Sequence, residues 1–214
     1  MRIAQGHLAS WPQTPRPAPF PWISSALLIG CLAPLLGHAL MALSASIFQE
    51  NGAIEDAQAL LLAFAALGFL NAYRRAGDAK ALFCIAMGAL SILALQREIP
   101  ACESAFFEGG LCVPRAAKIP LSGAVALIAG MLALAKRPRW RSFLDLRNLA
   151  WVWPVGIAAL LLGAAELAEH ALHQEMEETL EFGAYAYLAT FAIWIARAPA
   201  VDKAHRKAVK PETR

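Results

Sequence analysis

The chain has 214 residues, of which 58% are hydrophobic and only 16% are charged. Soluble domains carry roughly 25% charged residues, so this chain has too little polar surface to cover a water-soluble core. Its net charge is a modest +3, and it has no basic stretches interleaved with aromatic residues, which excludes nucleic acid as a partner.

The first 21 residues are polar and then rich in proline. Because proline does not continue a helix and favours extended backbone, we interpret residues 1–21 as a short cytoplasmic arm. A cleaved signal peptide is the alternative, with a small-residue site near Ala42–Ser46. The apolar run that follows is longer than the roughly 7–15 residues of a signal-peptide core, which favours the arm.

Six apolar runs occupy most of the remaining chain. Their cores lie near residues 23–48, 57–73, 81–96, 119–135, 149–165 and 182–196. Blocks approaching roughly 20 apolar residues are typical of membrane-spanning helices, and the shorter runs need flanking residues to cross. The sequence therefore predicts an all-α polytopic membrane protein, with a bundle of six transmembrane helices over residues 22–198 and a basic cytoplasmic tail at 199–214.

The basic residues predict the orientation. In a six-span arrangement, sixteen of the nineteen Lys and Arg residues fall on one side, together with both termini. The opposite side holds twelve of the sixteen acids. Since loops rich in Lys and Arg stay in the cytoplasm, both termini are expected inside and the acids outside, in a bacterial inner membrane.

Two cysteines lie in the connection between the third and fourth runs, on the predicted outer side. Cys102 and Cys112 would close a loop of about ten residues, and disulfides persist outside the bacterial cytoplasm. We therefore expect a structural disulfide. A redox role would need a C-x-x-C pair or a second loop pair, and the sequence has neither.

The most acidic stretch is Glu166–Glu181, which carries six carboxylates and two histidines and no Lys or Arg. Counting back sixteen residues from Arg197 places Glu181 about 24 Å away along a helix, inside the edge of a hydrocarbon layer roughly 30 Å thick. Counting in the same way from Lys80 to Glu98 and from Arg147 to Glu166 gives about 27 and 28 Å, which places both acids near that edge. Ionisable groups at such depth face the bundle interior and suggest a functional site.

One hypothesis for these acids is a metal site. Glu166 and His170 are four residues apart, as are Glu169 and His173, so each pair shares a helix face. Oxygen and nitrogen ligands suit zinc, manganese or iron. In this hypothesis Glu98, Glu166 and Glu181 are catalytic, and the metal activates water against a lipid or lipid-linked substrate.

The other hypothesis is an ion-pair network. Arg97 is one of the few basic residues on the acidic side, and we expect it to pair with acids from neighbouring helices. The chain would then be a non-enzymatic membrane subunit or a cation-binding module, with other membrane subunits as partners. Glu55, Asp56, Glu177 and Glu178 begin spans, where helix dipoles favour carboxylates, so these four are also explained as simple caps.

His38 lies deep within the first predicted span. A neutral core histidine that bonds a neighbouring helix is one interpretation, and a proton-relay station is the other.

Three acidic motifs carry a resemblance: E-N-G-A-I-E-D at Glu50–Asp56, Q-R-E-I-P at Gln96–Pro100 and E-E-T-L-E at Glu177–Glu181. With these motifs at three inter-span positions, the chain resembles a loose group of uncharacterised bacterial six-span membrane proteins. The resemblance implies the six-span fold and the importance of the acids, and it implies no activity.

Overall fold

Six α-helices make up the part of the chain that the structure describes. The computed structural model describes residues 17–44, 48, 52–104, 111–135, 150–171 and 173–197. The helices are, in chain order, α1 (Pro19–Leu43), α2 (Ala53–Arg75), α3 (Asp78–Glu98), α4 (Arg115–Ala135), α5 (Trp153–His170) and α6 (Gln174–Arg197). The predicted all-α class is confirmed. Most of the predicted arm, Glu50 and the basic tail lie outside the described residues.

Five of the six helices, α1 to α4 and α6, are long and apolar enough to cross a membrane by length and composition. The exception is α5, which has 18 residues and ends in a polar turn containing Glu166, Glu169 and His170. A helix of that length rises about 27 Å, and its last turn contributes little apolar length. The described helices therefore fit a multi-pass membrane protein, and five of them meet the length and hydropathy expected of a membrane span.

Helix α1 begins at Pro19, three residues before the predicted start of the bundle at residue 22. Proline fits the first turn of a helix because the N–H it lacks has no partner there anyway. The helix ends at Leu43, short of the predicted residue 48, and Ser44 continues in extended backbone.

The sixth helix is the centre of the bundle. It packs against α2, α5 and α1, while α3 packs on α2, and α4 packs chiefly on α3. Its buried face is correspondingly long, running from Thr179 to Ile195. By contrast, no residue of α4 is buried, so this helix lies at the periphery of the described bundle.

Glycine lets α1 approach α6 closely. A Cβ added to Gly37 would lie 2.6 Å from the main-chain oxygen of Glu175, and one added to Gly183 would overlap Ile29. Small residues inside apolar runs let membrane helices approach closely, so the sequence predicts packing roles for both Gly163 and Gly183. That prediction is confirmed for Gly183. It is wrong for Gly163, where an added Cβ would meet nothing within 4 Å in the described structure.

Helix direction alternates along the chain, so that the bundle has two distinct ends. At the acidic end α1, α3 and α5 finish and α2, α4 and α6 begin. At the opposite, basic end, α2 finishes at Arg75 and α6 at Arg197. An aromatic cluster fills the core towards the basic end, where Trp22 packs edge-on against Tyr187 and Phe191. The ring of Trp194 stacks on Phe191, with centroids 5.8 Å apart.

Candidate functional site

A polar stripe runs along the central helix near the acidic end. Glu178, Glu181 and Tyr185 follow one another at spacings of three and four residues, which places them on one face of α6. That face contacts α2 and α3. Glu181 and Tyr185 retain only 7% and 3% of their surface exposed. Because buried polar groups need partners, the neighbouring helices must supply them.

Helix α3 supplies two of these partners from adjacent residues. The Arg97 guanidinium lies 3.4 Å from the Glu181 carboxylate, Nη2 to Oε1. The Tyr185 hydroxyl donates to Oε1 of Glu98 at 3.0 Å. The last turn of α3 therefore binds two positions of α6 that lie one helical turn apart. The predicted ion pairing of Arg97 with an acid from another helix is present in the structure.

The Arg97–Glu181 pair is asymmetric. The Glu181 side chain is 9% exposed, whereas the Arg97 side chain is 61% exposed. A long arginine at a helix end extends its charged group towards the interface while its stem covers apolar surface. Burial therefore destabilises mainly the ionised Glu181 carboxylate, and the positive charge of Arg97 offsets part of that cost.

Helix α2 adds a third contact through Gln58. Its Nε2 donates to the main-chain oxygen and to Oε2 of Glu178, both at 3.0 Å. Gln58 is completely buried, and within the described structure its Oε1 has no hydrogen-bond donor. Together these contacts join α2, α3 and α6 into one polar network, which we call the Arg97 network: Gln58, Arg97, Glu98, Glu178, Glu181 and Tyr185.

The loop between α3 and α4 is closed beside this network. Cys102 and Cys112 form the predicted disulfide, with an S–S distance of 2.11 Å. Val113 pairs with the backbone on both sides of Ala101: its N–H donates to the Pro100 oxygen and its oxygen accepts from Cys102. The crosslink thus holds the start of α4 against the end of α3.

Helix α4 is capped by an acid from the same loop. The Arg115 N–H donates to Oε2 of Glu103 at 2.9 Å. This backbone hydrogen bond lowers the pKa of Glu103 below its ordinary value of 4.5. A carboxylate at a helix start is also favoured by the helix dipole. One turn further on, Nε2 of Gln96 in α3 donates to the main-chain oxygen of Lys118. The Lys118 Nζ in turn donates to the main-chain oxygen of Ile99, the residue that follows α3.

The predicted metal residues lie at the same end of the bundle as the Arg97 network, but their side chains are exposed. Glu166 and His170 of α5 approach one another to 3.9 Å, but their side chains are 56% and 73% exposed. Glu169 and His173 are exposed as well. Across the described residues, no three His, Cys, Asp or Glu side chains are grouped to hold a metal ion. The structure thus brings Glu98 and Glu181 to a shared network and leaves Glu166 beside its own-helix neighbour.

The other predicted site residues that the structure describes lie on α1 and at the start of α2. Glu55 and Asp56 lie in the first turn of α2, as the capping interpretation expected. His38 is exposed on α1, so its prediction as a core histidine is wrong. The cause is helical phase: Ala33 and Gly37 face the bundle, and the next residue is rotated about 100° away from Gly37.

Sequence reasoning missed Gln58 and Tyr185 and treated Glu178 as a cap. The spacing of Glu178, Glu181 and Tyr185 would have identified a shared face, because it repeats at three and four residues. Gln58 offered no comparable signal, since a lone glutamine in an apolar helix is not diagnostic.

The fold and this network define the class: a multi-pass α-helical membrane protein with a polar site at one end of the bundle. No protein family, curated protein or solved structure matches the chain.

Proposed function

We propose that the protein is a non-enzymatic, cation-binding subunit of the bacterial inner membrane, with six spans and both termini in the cytoplasm. The Arg97 network is its binding site and opens to the periplasmic side. The observation that carries the proposal is the 3.4 Å contact between Arg97 of α3 and the buried Glu181 of α6. It joins the last turn of α3 to a buried carboxylate of α6 inside an acidic cluster.

The charge balance of the network favours a cation. Glu98, Glu178 and Glu181 contribute three formal negative charges and Arg97 one positive charge, which leaves two uncompensated. Carboxylates held together in a poorly hydrated place recruit a counter-charge or a proton. Carboxylate and amide oxygens suit hard cations, and the Gln58 Oε1 that lacks a donor is a further acceptor on the same network. Because no three acidic side chains of the described residues are grouped around one point, the cation would bind fewer than three carboxylates at once.

Cation titrations test this proposal. The full-length protein is purified in detergent, treated with a chelator and titrated separately with sodium, potassium, magnesium, calcium, manganese and zinc chlorides. At least one cation is expected to raise the unfolding temperature in a concentration-dependent manner, because a ligand that binds only the folded state stabilises it. Glu98→Gln and Glu181→Gln should remove that response.

Glu175→Gln is the matched control, because it removes the same charge from the first turn of the same helix, and the Glu175 carboxylate makes no contact with the Arg97 network in the described structure. It should keep the response. If every cation shifts the wild type and Glu98→Gln equally, the network does not bind a cation and the proposal fails.

A second candidate is a metal-dependent enzyme that acts on a lipid or lipid-linked substrate. The observation that favours it is the approach of Glu166 and His170 to 3.9 Å, which presents an oxygen and a nitrogen ligand together. Element analysis of the protein before chelation tests this candidate. Stoichiometric zinc, manganese or iron that His170→Ala removes would support the enzyme, and its absence from freshly purified protein would count against it.

A further inference from the structure

A groove opens between α2 and α6 at the basic end of the bundle, far from the Arg97 network. It has a volume of about 540 Å³ and runs along the final turns of both helices. Ligand sites typically enclose roughly 300–1,000 Å³, so the groove is large enough for a bound molecule. Its floor is the close approach of α2 and α6, where a Cβ on Gly68 would lie 2.9 Å from that of Ala192.

The groove divides into an apolar part and a polar part. Phe64, Leu67 and Ile193 line the part nearer the middle of the helices, and they are 59%, 64% and 42% exposed. Asn71, Arg75 and Arg197 line the part at the helix ends. From Phe64 to Arg75 the helix rises eleven residues, about 16 Å. The apolar walls therefore lie at the depth of lipid tails when the arginines lie at the headgroups.

The charge in the polar part is all of one sign. Arg75 and Arg197 are the last residues of their helices, and no carboxylate lines the groove. Neither arginine forms an ion pair with any residue that the structure describes. Two guanidinium groups that line one groove repel one another unless an anion lies between them, and planar guanidinium groups match phosphate oxygens in pairs.

We propose that this groove binds an anionic phospholipid, with one acyl chain against Phe64, Leu67 and Ile193 and the phosphate between Arg75 and Arg197. Basic pockets between membrane helices recognise anionic headgroups through this combination of charge and apolar surface. Asn71 adds an amide donor beside the phosphate. The site is independent of the Arg97 network, which lies at the other end of α2 and α6.

Arg74 provides the matched control. It precedes Arg75 on α2 and has the same charge at the same helix end, but it does not line the groove. A general attraction between basic residues and an anionic membrane would depend equally on Arg74 and Arg75. A built site would depend on Arg75 and Arg197 alone.

The experiment counts bound lipid on the full-length protein by native mass spectrometry. Detergent-purified protein is titrated with phosphatidylglycerol, with phosphatidylcholine of the same chains, and with glycerol 3-phosphate, all in the presence of chelator. Phosphatidylglycerol should bind at least about tenfold more tightly than phosphatidylcholine, because two basic groups each contribute about 1 kcal/mol. Glycerol 3-phosphate should not displace it, since it lacks the apolar part.

Arg75→Gln and Arg197→Gln should each weaken phosphatidylglycerol binding about fivefold, and the double variant should remove the preference over phosphatidylcholine. Arg74→Gln should leave binding within about twofold. Equal binding of the two lipids by the wild type would overturn the proposal. So would an equal loss in Arg74→Gln, or effective competition by glycerol 3-phosphate, which would indicate a site for free phosphate. These outcomes are separate from the cation titrations, because no variant touches the Arg97 network.

Discussion

Tyr185 and Tyr187 lie on the same helix and differ in what their hydroxyl groups contact. Both side chains are buried. The Tyr185 hydroxyl donates to Glu98, whereas the Tyr187 hydroxyl has no hydrogen-bond partner in the described structure. A buried hydroxyl without a partner loses its hydrogen bonds to water and gains none in return. The Tyr185 and Tyr187 hydroxyl groups are therefore expected to affect stability in opposite directions.

Replacing each tyrosine by phenylalanine tests this difference. Tyr185→Phe should lower the free energy of unfolding by about 1.5–3 kcal/mol, because it removes a hydrogen bond to a charged group. Tyr187→Phe should leave stability unchanged or raise it slightly. Thermal unfolding in detergent measures both. Equal losses in the two variants would show that ring packing, rather than the contact with Glu98, determines the effect.

At this scale the sequence predicted part of the site. Arg97 was expected to pair because it is an isolated cation among acids, and the structure pairs it with Glu181. Burial of the Glu98 neighbour Tyr185 was not predictable, since a tyrosine in an apolar run is equally at home in a core or at a membrane interface. The sequence could not place His38, because the first span is apolar around its whole circumference. Such a helix does not indicate which of its faces packs against the bundle.

At the scale of elements, the contact between α1 and α6 depends on glycines, which have no side chain to separate the two helices. Gly183 and Gly37 leave room for the main chain and side chains of the opposite helix, whereas no described residue comes within 4 Å of a Cβ added to Gly163 on α5. The sequence indicated close packing at both Gly163 and Gly183, because small residues in membrane helices are typical of interfaces. It could not distinguish them, since the phase of each helix is fixed by its neighbours.

Alanine at these two positions should act oppositely. Gly183→Ala places a methyl group onto Ile29 and should destabilise the protein by about 1–3 kcal/mol, the usual cost of overpacking. Gly163→Ala should be neutral or stabilise by up to about 1 kcal/mol, because alanine favours helix more than glycine does. Unfolding temperatures of the two variants provide the measurement. A stable Gly183→Ala protein would contradict the close approach of α1 and α6.

For the whole molecule, the composition predicted an α-helical membrane protein, and the distribution of charge predicted an acidic and a basic end of the bundle. The Arg97 network and the arginines of the groove between α2 and α6 lie at opposite ends of the bundle, as the distribution of Lys and Arg indicated. The number of spans was harder to predict. Five helices fit a membrane crossing, and α5 loses apolar length to the polar turn at Glu166–His170.

Reporter fusions test the proposed six-span topology. Fusions at residues 77, 141 and 205 should read as cytoplasmic, and fusions at residues 52, 106 and 174 as periplasmic, because basic connections stay inside. The fusion at residue 205 is the most informative, since it depends on α5 and α6 both crossing. If it reads as periplasmic while residue 141 reads as cytoplasmic, the six-span topology is wrong.

A double-mutant cycle tests most directly whether Arg97 and Glu181 join α3 to α6. Unfolding free energies are measured for the wild type, Arg97→Gln, Glu181→Gln and the double variant in the same detergent. Arg97→Gln should cost about 1–3 kcal/mol, more than an exposed pair and less than a fully buried one, because it leaves a buried carboxylate without its partner. Glu181→Gln should cost less, since it leaves only an exposed guanidinium. The double variant should be more stable than the sum of the single losses predicts, with a coupling of at least about 0.5 kcal/mol. Additive losses, or a Glu181→Gln variant that loses as much as Arg97→Gln, would contradict the pairing of α3 with α6 through these two residues.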